Sequence, residues 1–126
     1  MGKAVNIGIS AKIGKYSDAV LIERPGRQLH VSGTPGMRKD GTVPASFAEQ
    51  ADLAWQNLVE ILQGAGLTVQ NLVKINQYLL RKEDIALYGP IRLRYLGEHR
   101  PASMLSLVSG LVRPDILFEI EALAAD

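Results

Sequence analysis

The alternation of apolar and polar positions divides the chain into a β-rich beginning, one long helix, and then strands that alternate with a second helix. Two β-prone runs, 20–22 and 29–31, flank the turn dipeptide Pro25-Gly26, and this pattern predicts a β-hairpin. The polar, glycine-rich stretch 34–44 that follows is predicted to be a loop. No linker, internal repeat or low-complexity segment interrupts the pattern.

The clearest helix signal begins at Ser46. Ser46 and Glu49 have the spacing of a capping box, in which the serine oxygen accepts a hydrogen bond from a backbone N–H of the first turn. Apolar residues then recur at intervals of three and four, which places them on one stripe of a helix. They are Phe47, Ala51, Ala54, Trp55, Leu58, Ile61, Leu62 and Ala65. Gly64 and Gly66 predict the end of this helix, and its stripe is expected to lie on a sheet.

The second half of the chain predicts three strands and a second helix. The first strand covers 72–80, and the helix covers about 83–96 with a kink or a restart at Pro90, because proline lacks the N–H that a helix interior needs. The last two strands are predicted over 102–108 and 116–123 by their apolar alternation.

The final predicted strand carries two carboxylates on a partly apolar face. Glu119 and Glu121 share that face with Leu123, because side chains two residues apart point to the same side of a strand. This mixture is unusual for a strand edge exposed to water. We expect the strand of Ser103 to lie beside the strand of Glu119 in one sheet, so that a hydroxyl and a carboxylate come together.

The predicted order, β-β-α-β-α-β-β, indicates an α+β fold over a single domain, residues 1–126, with both helices on one face of a mixed sheet. Several of the strands have apolar residues on both sides, so the second face of the sheet also needs cover. In one small domain only another subunit can supply that cover. The sequence therefore predicts a homo-oligomer.

Composition narrows the classes of function. The 126 residues contain no cysteine, which excludes a disulfide framework, a thiolate nucleophile and a cysteine-bearing zinc site. No metal site is predicted, and the two histidines, His30 and His99, are far apart in the sequence. A formal net charge of +1 without a concentrated basic face argues against nucleic acid. Neither a run of about 18 apolar residues nor a signal-peptide core is present, so we expect no membrane association and a cytoplasmic location.

Several short segments, taken in order from Ile13 to Ala124, resemble those of the RidA family (YjgF/YER057c/UK114). They are Ile13-Gly14-Lys15-Tyr16, Val31-Ser32-Gly33, Gly41-Thr42-Val43-Pro44, Ala65-Gly66-Leu67, Gly97-Glu98-His99-Arg100-Pro101-Ala102 and Glu119-Ile120-Glu121-Ala122. The resemblance implies a chorismate-mutase-like fold that assembles as a homotrimer with three clefts between subunits. It also implies a cofactor-free hydrolase that converts small reactive enamines and imines, such as 2-iminopropanoate, to 2-oxo acids and ammonia.

The resemblance assigns roles to four residues. Glu119 is implied to position or activate water, and Tyr16 and Gly33 are implied to line the cleft. Ser103 stands where the family has the arginine of Pro-Ala-Arg, which holds the substrate carboxylate. Gly89 falls where the family has an asparagine in the second helix, which is a further departure.

The loss of that arginine has an energetic consequence. A guanidinium makes two charge-assisted hydrogen bonds of about 1.5–3 kcal/mol each, whereas one neutral hydroxyl contributes about 0.5–1.5 kcal/mol. The difference amounts to about two orders of magnitude in binding or kcat/KM. The protein is therefore not expected to be an efficient 2-iminopropanoate deaminase unless another cation compensates. Arg113, in the loop before the last strand, is the first candidate, and Arg100 is the second.

Three functions stay open at this point. The leading one is a divergent RidA-like hydrolase or deaminase for a small enamine, imine or related carbonyl metabolite. The alternative is a non-catalytic trimeric module that binds a small molecule or a protein, which the loss of the arginine favours. RNA cleavage is disfavoured by the near-neutral charge and by the lack of paired catalytic histidines.

The proposed site residues also have structural alternatives. Ser103 could be a small residue packed at a subunit interface, and Glu119 could belong to an interface ion pair. Tyr16 could be a core residue with a satisfied hydroxyl, and Gly33 could serve a turn.

Overall fold

The computed structural model describes residues 2–24 and 26–126, and its main sheet has four strands in the order β3-β6-β4-β5. These strands are β3 (Gln28–Pro35), β4 (Leu72–Leu79), β5 (Ala102–Leu107) and β6 (Phe118–Ala125). β4 and β5 are parallel, and the other neighbouring pairs are antiparallel. The predicted mixed sheet is therefore confirmed.

Two helices, α1 (Phe47–Gly64) and α2 (Ile85–Leu96), cover one face of this sheet. α1 begins as predicted, because the Ser46 hydroxyl oxygen accepts a hydrogen bond from the Glu49 N–H at 3.2 Å. Most of its apolar stripe is fully buried, although Ile61 is exposed. The core joins residues of both helices to inward-facing strand residues; it includes Ala54, Trp55, Leu58, Leu62, Ile75, Leu79, Tyr88, Phe118 and Ile120. No helix in the described ranges combines the length and the apolar character needed to cross a bilayer.

α2 continues through Pro90 and does not restart there. A short 3-10 turn, Lys82–Asp84, leads into it. Proline at position 90 cannot donate to the carbonyl of Ala86, four residues earlier. Ala86 is exposed, so water can donate to its carbonyl instead, and the helix tolerates the proline.

The predicted hairpin is wrong. β2 (Ala19–Leu21) pairs with β1 (Lys3–Val5), a strand that the sequence pattern did not predict, and the two form a separate two-stranded sheet. β3 pairs with β6 instead. Pro25, on which the turn prediction depended, lies outside the described residues. Burial outweighs local turn chemistry here, because pairing with β6 places Val31 in the core under α1.

Ser103 and Glu119 are not neighbours, which corrects a second expectation. α2 connects β4 to β5 as a parallel crossover, so β5 takes the outer edge of the sheet and β4 separates it from β6. Ser103 pairs with the buried Ile75 and shares its face under the helices, whereas Glu119 pairs with Tyr78 on the opposite face. One chain therefore holds the hydroxyl and the carboxylate on opposite sides of its sheet.

The sheet face opposite the helices is left open by the described part of the chain. Its central residues alternate with the buried ones of β4 and β6; they are Lys74, Asn76, Tyr78, Glu119, Glu121 and Leu123. Met104, on the edge strand, is 55% exposed on this side. An apolar and carboxylate-bearing face of this kind requires a partner surface if it is to be shielded from water.

Candidate functional site

A cavity of about 330 Å³ lies between the N-terminal loop, α2 and the edge strand β5. We call it the Tyr16 pocket; its lining residues are Ile13, Gly14, Tyr16, Ile85, Arg92, Ser103, Met104 and Leu105. The structure thus places Tyr16 and Ser103, which are 87 positions apart in the sequence, against the same small space.

The loop that carries Tyr16 is fixed to the edge of β5 through the next residue. Ser17 forms a parallel bridge with Ala102, and its N–H donates to the carbonyl of Pro101 at 3.3 Å. The Ser17 hydroxyl donates to the carbonyl of Arg100 at 2.5 Å, and Ser17 is buried. These bonds continue the sheet edge by one residue and hold Tyr16 beside β5.

Asp18 holds the preceding loop in place. Its carboxylate accepts backbone N–H bonds from Ser10 at 2.7 Å, Ile7 at 2.7 Å and Gly8 at 3.1 Å. These backbone hydrogen bonds, the one from Ser10 first, keep the pKa of Asp18 below its ordinary value. An ionised Asp18 therefore organises the wall that includes Ile13.

A buried chain of hydrogen bonds leads from α1 to Ser103. The indole N–H of Trp55 donates to the Tyr88 hydroxyl at 3.2 Å, and that hydroxyl donates to the Gln77 side-chain oxygen at 2.5 Å. The Gln77 side-chain nitrogen donates to Ser103 Oγ at 2.7 Å and to the Met104 carbonyl at 3.1 Å. Trp55, Gln77 and Tyr88 are at most 1% exposed. Sequence reasoning missed Gln77, although a polar residue between Ile75 and Leu79 on an inward strand face is a detectable signal.

Arg92 is the second residue that sequence reasoning missed. It projects from α2 into the Tyr16 pocket, and its guanidinium carbon lies 5.4 Å from the centre of the Tyr88 ring. Its Nη1 donates to the Gln77 side-chain oxygen at 3.4 Å, which is a long hydrogen bond. Within the described ranges it forms no ion pair with a carboxylate. Its place beside Ser103 depends on how α2 packs near β5, which the sequence pattern does not show.

The carboxylate of Glu119 belongs to the open face of the sheet. We call Gly33, Tyr78, Glu119 and Glu121 the Glu119 face. Glu121 accepts hydrogen bonds from the Tyr78 hydroxyl at 2.5 Å and from the Asn76 amide at 3.1 Å. Burial raises the pKa of Glu119 above its ordinary value, and the negative charge of Glu121 adds to the rise. A carboxyl group perturbed in this way is suited to proton transfer nearer neutral pH.

Gly33 lies inside β3, not in a turn, and it adjoins the Glu119 carboxylate. A Cβ added at Gly33 would lie 2.5 Å from the Glu119 side-chain oxygen, closer than atoms can approach. The absence of a side chain therefore makes room for this carboxylate. The strand also has a register shift against β6 between Val31 and Thr34, on either side of Gly33.

Arg113 does not line the Tyr16 pocket. Its guanidinium donates two hydrogen bonds to the Asp115 carboxylate, at 3.0 and 2.6 Å, and one to the Gly41 carbonyl at 3.0 Å. Within one chain it is therefore engaged near its own loop. The structure brings Tyr16 and Ser103 together, and separately Gly33 and Glu119, but it does not bring Arg113 to either pair.

Comparison with known proteins gives a consistent result. Residues 8–126 match the family model described as Endoribonuclease L-PSP. The chain is 37% identical over 116 residues to the 2-iminobutanoate/2-iminopropanoate deaminase of Rattus norvegicus, with 90% of this chain and 82% of that protein covered.

Solved structures share the architecture. The Rid family protein YyfB from Yersinia pestis, whose function is described as unknown, has a TM-score of 0.85 and 27% identity over 98% of both chains. Escherichia coli TdcF, solved with bound serine, has a TM-score of 0.75 and 28% identity over 90% of both chains.

Proposed function

The chain belongs to the RidA (YjgF/YER057c/UK114) family, and we propose that it hydrolyses a small reactive enamine or imine to a carbonyl compound and ammonia. The observation that carries this proposal is the half-buried Glu119, a carboxyl group with a raised pKa beside a glycine that gives it space. The name of the rat relative, an imine deaminase, and the serine bound to TdcF support a small amino-acid-like substrate.

The proposed reaction needs only water and proton transfers. Water adds to the carbon of the C=N bond, and Glu119 accepts a proton from the water as the new C–O bond forms. That proton passes to nitrogen to give a carbinolamine. The hydroxyl proton of the carbinolamine then passes to the nitrogen as the C–N bond breaks, so that ammonia leaves and the carbonyl forms. The Tyr16 hydroxyl orients the water or the nitrogen by hydrogen bonding.

The cleft is proposed to form between subunits of a homotrimer. One chain cannot bring Glu119 and Ser103 to the same ligand, because the two side chains lie on opposite faces of its sheet. A ring in which the Glu119 face of one subunit meets the Tyr16 pocket of the next would complete three identical clefts.

We expect 2-iminopropanoate to be hydrolysed slowly. The β5 wall offers the single hydroxyl of Ser103 in place of a forked guanidinium, and the lost hydrogen bonds correspond to about two orders of magnitude in kcat/KM. Other small imines and enamines are therefore better candidates for the physiological substrate.

The proposed activity is tested by ammonia release from a panel of imines generated in situ from amino acids by an amino-acid oxidase with catalase present. We expect the wild-type protein to accelerate the decay of at least one imine, and Glu119→Gln to lose that acceleration. Decay that never exceeds the protein-free rate would contradict the proposal. If the protein does not accelerate imine decay but 2-oxo acids raise its melting temperature, the non-catalytic binding module is supported instead. The serine at position 103 favours that alternative.

Gly33→Ala is expected to lower kcat/KM by about tenfold to a hundredfold, because the new methyl group displaces the Glu119 carboxylate and small displacements of a reacting group are costly. The melting temperature should change little, since the atom displaced is the flexible end of a side chain. Steady-state kinetics and thermal melts check this. Gly110→Ala is the matched control, because a Cβ there meets no atom within 4 Å. Equal kinetics for the two variants would contradict the role given to Gly33.

Glu121→Gln is expected to move the acidic limb of the pH profile of kcat/KM to lower pH. The substitution removes the negative charge that contributes to the raised pKa of Glu119, so Glu119 stays ionised in more acidic solution. Glutamine keeps an oxygen that can accept from Tyr78 and Asn76. Parallel pH profiles of the two proteins measure the shift, and a limb that stays in place or moves to higher pH would contradict the assignment of Glu119 as the base.

A further inference from the structure

We propose that Arg92 and Ser103 together bind a substrate carboxylate, so that α2 supplies the positive charge that β5 lacks. The inference rests on the proposed function and deepens it by assigning a further substrate-binding residue, Arg92 on α2. Neither residue alone makes this site. It is built by the buried network that ends at Ser103 and by the cation that stands across the Tyr16 pocket.

The hydrogen of the Ser103 hydroxyl is directed by that network. An indole N–H can only donate, so the Tyr88 hydroxyl accepts from Trp55 and donates to the Gln77 oxygen. Burial raises the pKa of Tyr88, which therefore keeps its proton. The Gln77 nitrogen must then face Ser103, and Ser103 Oγ accepts from it. The hydroxyl hydrogen of Ser103 is left to donate to an acceptor in the pocket.

Arg92 has unused hydrogen-bonding capacity at the same place. Its guanidinium has five N–H donors, and the only hydrogen bond that it donates within the described part of the chain is the long one to Gln77. The neighbouring Arg94, on the same helix, is paired with the Asp52 carboxylate at 2.9 Å. Arg92 has no such partner in the described part of the chain, although it is half-buried. A bound carboxylate would supply the charged partner that Arg92 lacks here and could accept hydrogen bonds from two of its N–H groups.

The remaining walls define the rest of the ligand. Ile13, Ile85 and Leu105 line the same cavity of about 330 Å³, and they offer apolar surface to an aliphatic side chain. The pocket therefore combines one cation, one directed hydroxyl donor and apolar walls. The charge comes from the helix wall, so it does not reproduce a forked guanidinium on β5, and slow turnover of 2-iminopropanoate remains expected.

The test measures equilibrium binding of 2-oxobutanoate and of its neutral amide, 2-oxobutanamide, by calorimetry, which makes it independent of turnover. Arg92→Ala is expected to weaken 2-oxobutanoate binding by about tenfold to a hundredfold, and Ser103→Ala by about threefold to tenfold. Binding of the amide should change much less with Arg92→Ala. Arg94→Ala is the matched control on the same helix and should bind as the wild type does. Circular dichroism and light scattering verify that each variant keeps its fold and mass.

A relocated guanidinium gives the sharpest result. We expect the double variant Arg92→Ala with Ser103→Arg to bind 2-oxobutanoate at least tenfold more tightly than Arg92→Ala alone. Unchanged binding in Arg92→Ala, or equal losses for the acid and the amide, would overturn the inference, as would a wild-type protein that binds no carboxylate. Carboxylate binding through Arg92 without hydrolysis of any imine would uphold this site and refute the proposed hydrolase. A rate of imine hydrolysis that Arg92→Ala leaves unchanged would support the hydrolase and refute the Arg92 site.

Discussion

Replacing Glu119 with glutamine is expected to lower kcat/KM for imine hydrolysis by about two to four orders of magnitude, the usual contribution of a positioned general base. Glutamine has nearly the same shape, so the substrate pocket keeps its form, but it cannot accept a proton from the attacking water. Because both burial and Glu121 raise the pKa of Glu119, the ionised group destabilises the folded state near neutral pH. The variant should therefore melt at the same temperature or higher.

The melting temperature of Glu119→Gln separates a functional role of Glu119 from a structural one. If Glu119 belonged to a stabilising interface ion pair, its replacement would lower the melting temperature and the mass of the oligomer. Glu23→Gln, at an exposed position, is the control for a change of net charge. The measurement is single-substrate kinetics with thermal melts on the same preparations, and a Glu119→Gln protein that keeps the wild-type rate would contradict the mechanism.

Leu123→Asp is expected to dissociate the oligomer and to abolish hydrolysis at the same time. Leu123 lies at the centre of the open face, where its register partners are His30 on β3 and Lys74 on β4. Even beside Lys74, a carboxylate buried in an interface costs several kcal/mol, because the attraction within a buried ion pair often does not repay the lost hydration. That cost exceeds the stability of a modest interface.

Light scattering gives the mass of the Leu123→Asp protein, and the imine assay gives its rate. The matched control is Leu87→Asp, since Leu87 is 53% exposed on α2, on the helical layer that covers the other face of the sheet. We expect the control to keep both mass and rate. A monomeric Leu123→Asp protein with full activity would show that one chain suffices for catalysis.

The elements that local sequence decides were predictable. α1 carries its own cap at Ser46 and its own stripe, and β4 and β6 alternate in the way that their burial requires. The pairing of the strands was not decided locally. β3 could pair with β2 through a turn or with β6 across most of the chain length, and the burial of Val31 under α1 settles the choice in favour of β6.

The candidate site was predictable only in part. Tyr16, Gly33, Ser103 and Glu119 follow from the family resemblance, but their division between the two faces of the sheet follows from the position of β4 between β5 and β6. Arg92 was not predictable from spacing alone, because its place beside Ser103 depends on how α2 crosses over β5.

The central claim, that the catalytic cleft joins two subunits, is tested most directly by mixing two variants of lowered activity, Glu119→Gln and the double variant Tyr16→Phe with Ser103→Ala. Each variant damages a different half of the cleft, and the two chains are unfolded together and refolded as mixed oligomers. If the halves come from neighbouring subunits around a ring, about one cleft in four in an equal mixture contains both intact halves. We therefore predict that the mixture recovers about a quarter of the wild-type activity. A mixture no more active than the mean of its two components would contradict a shared cleft.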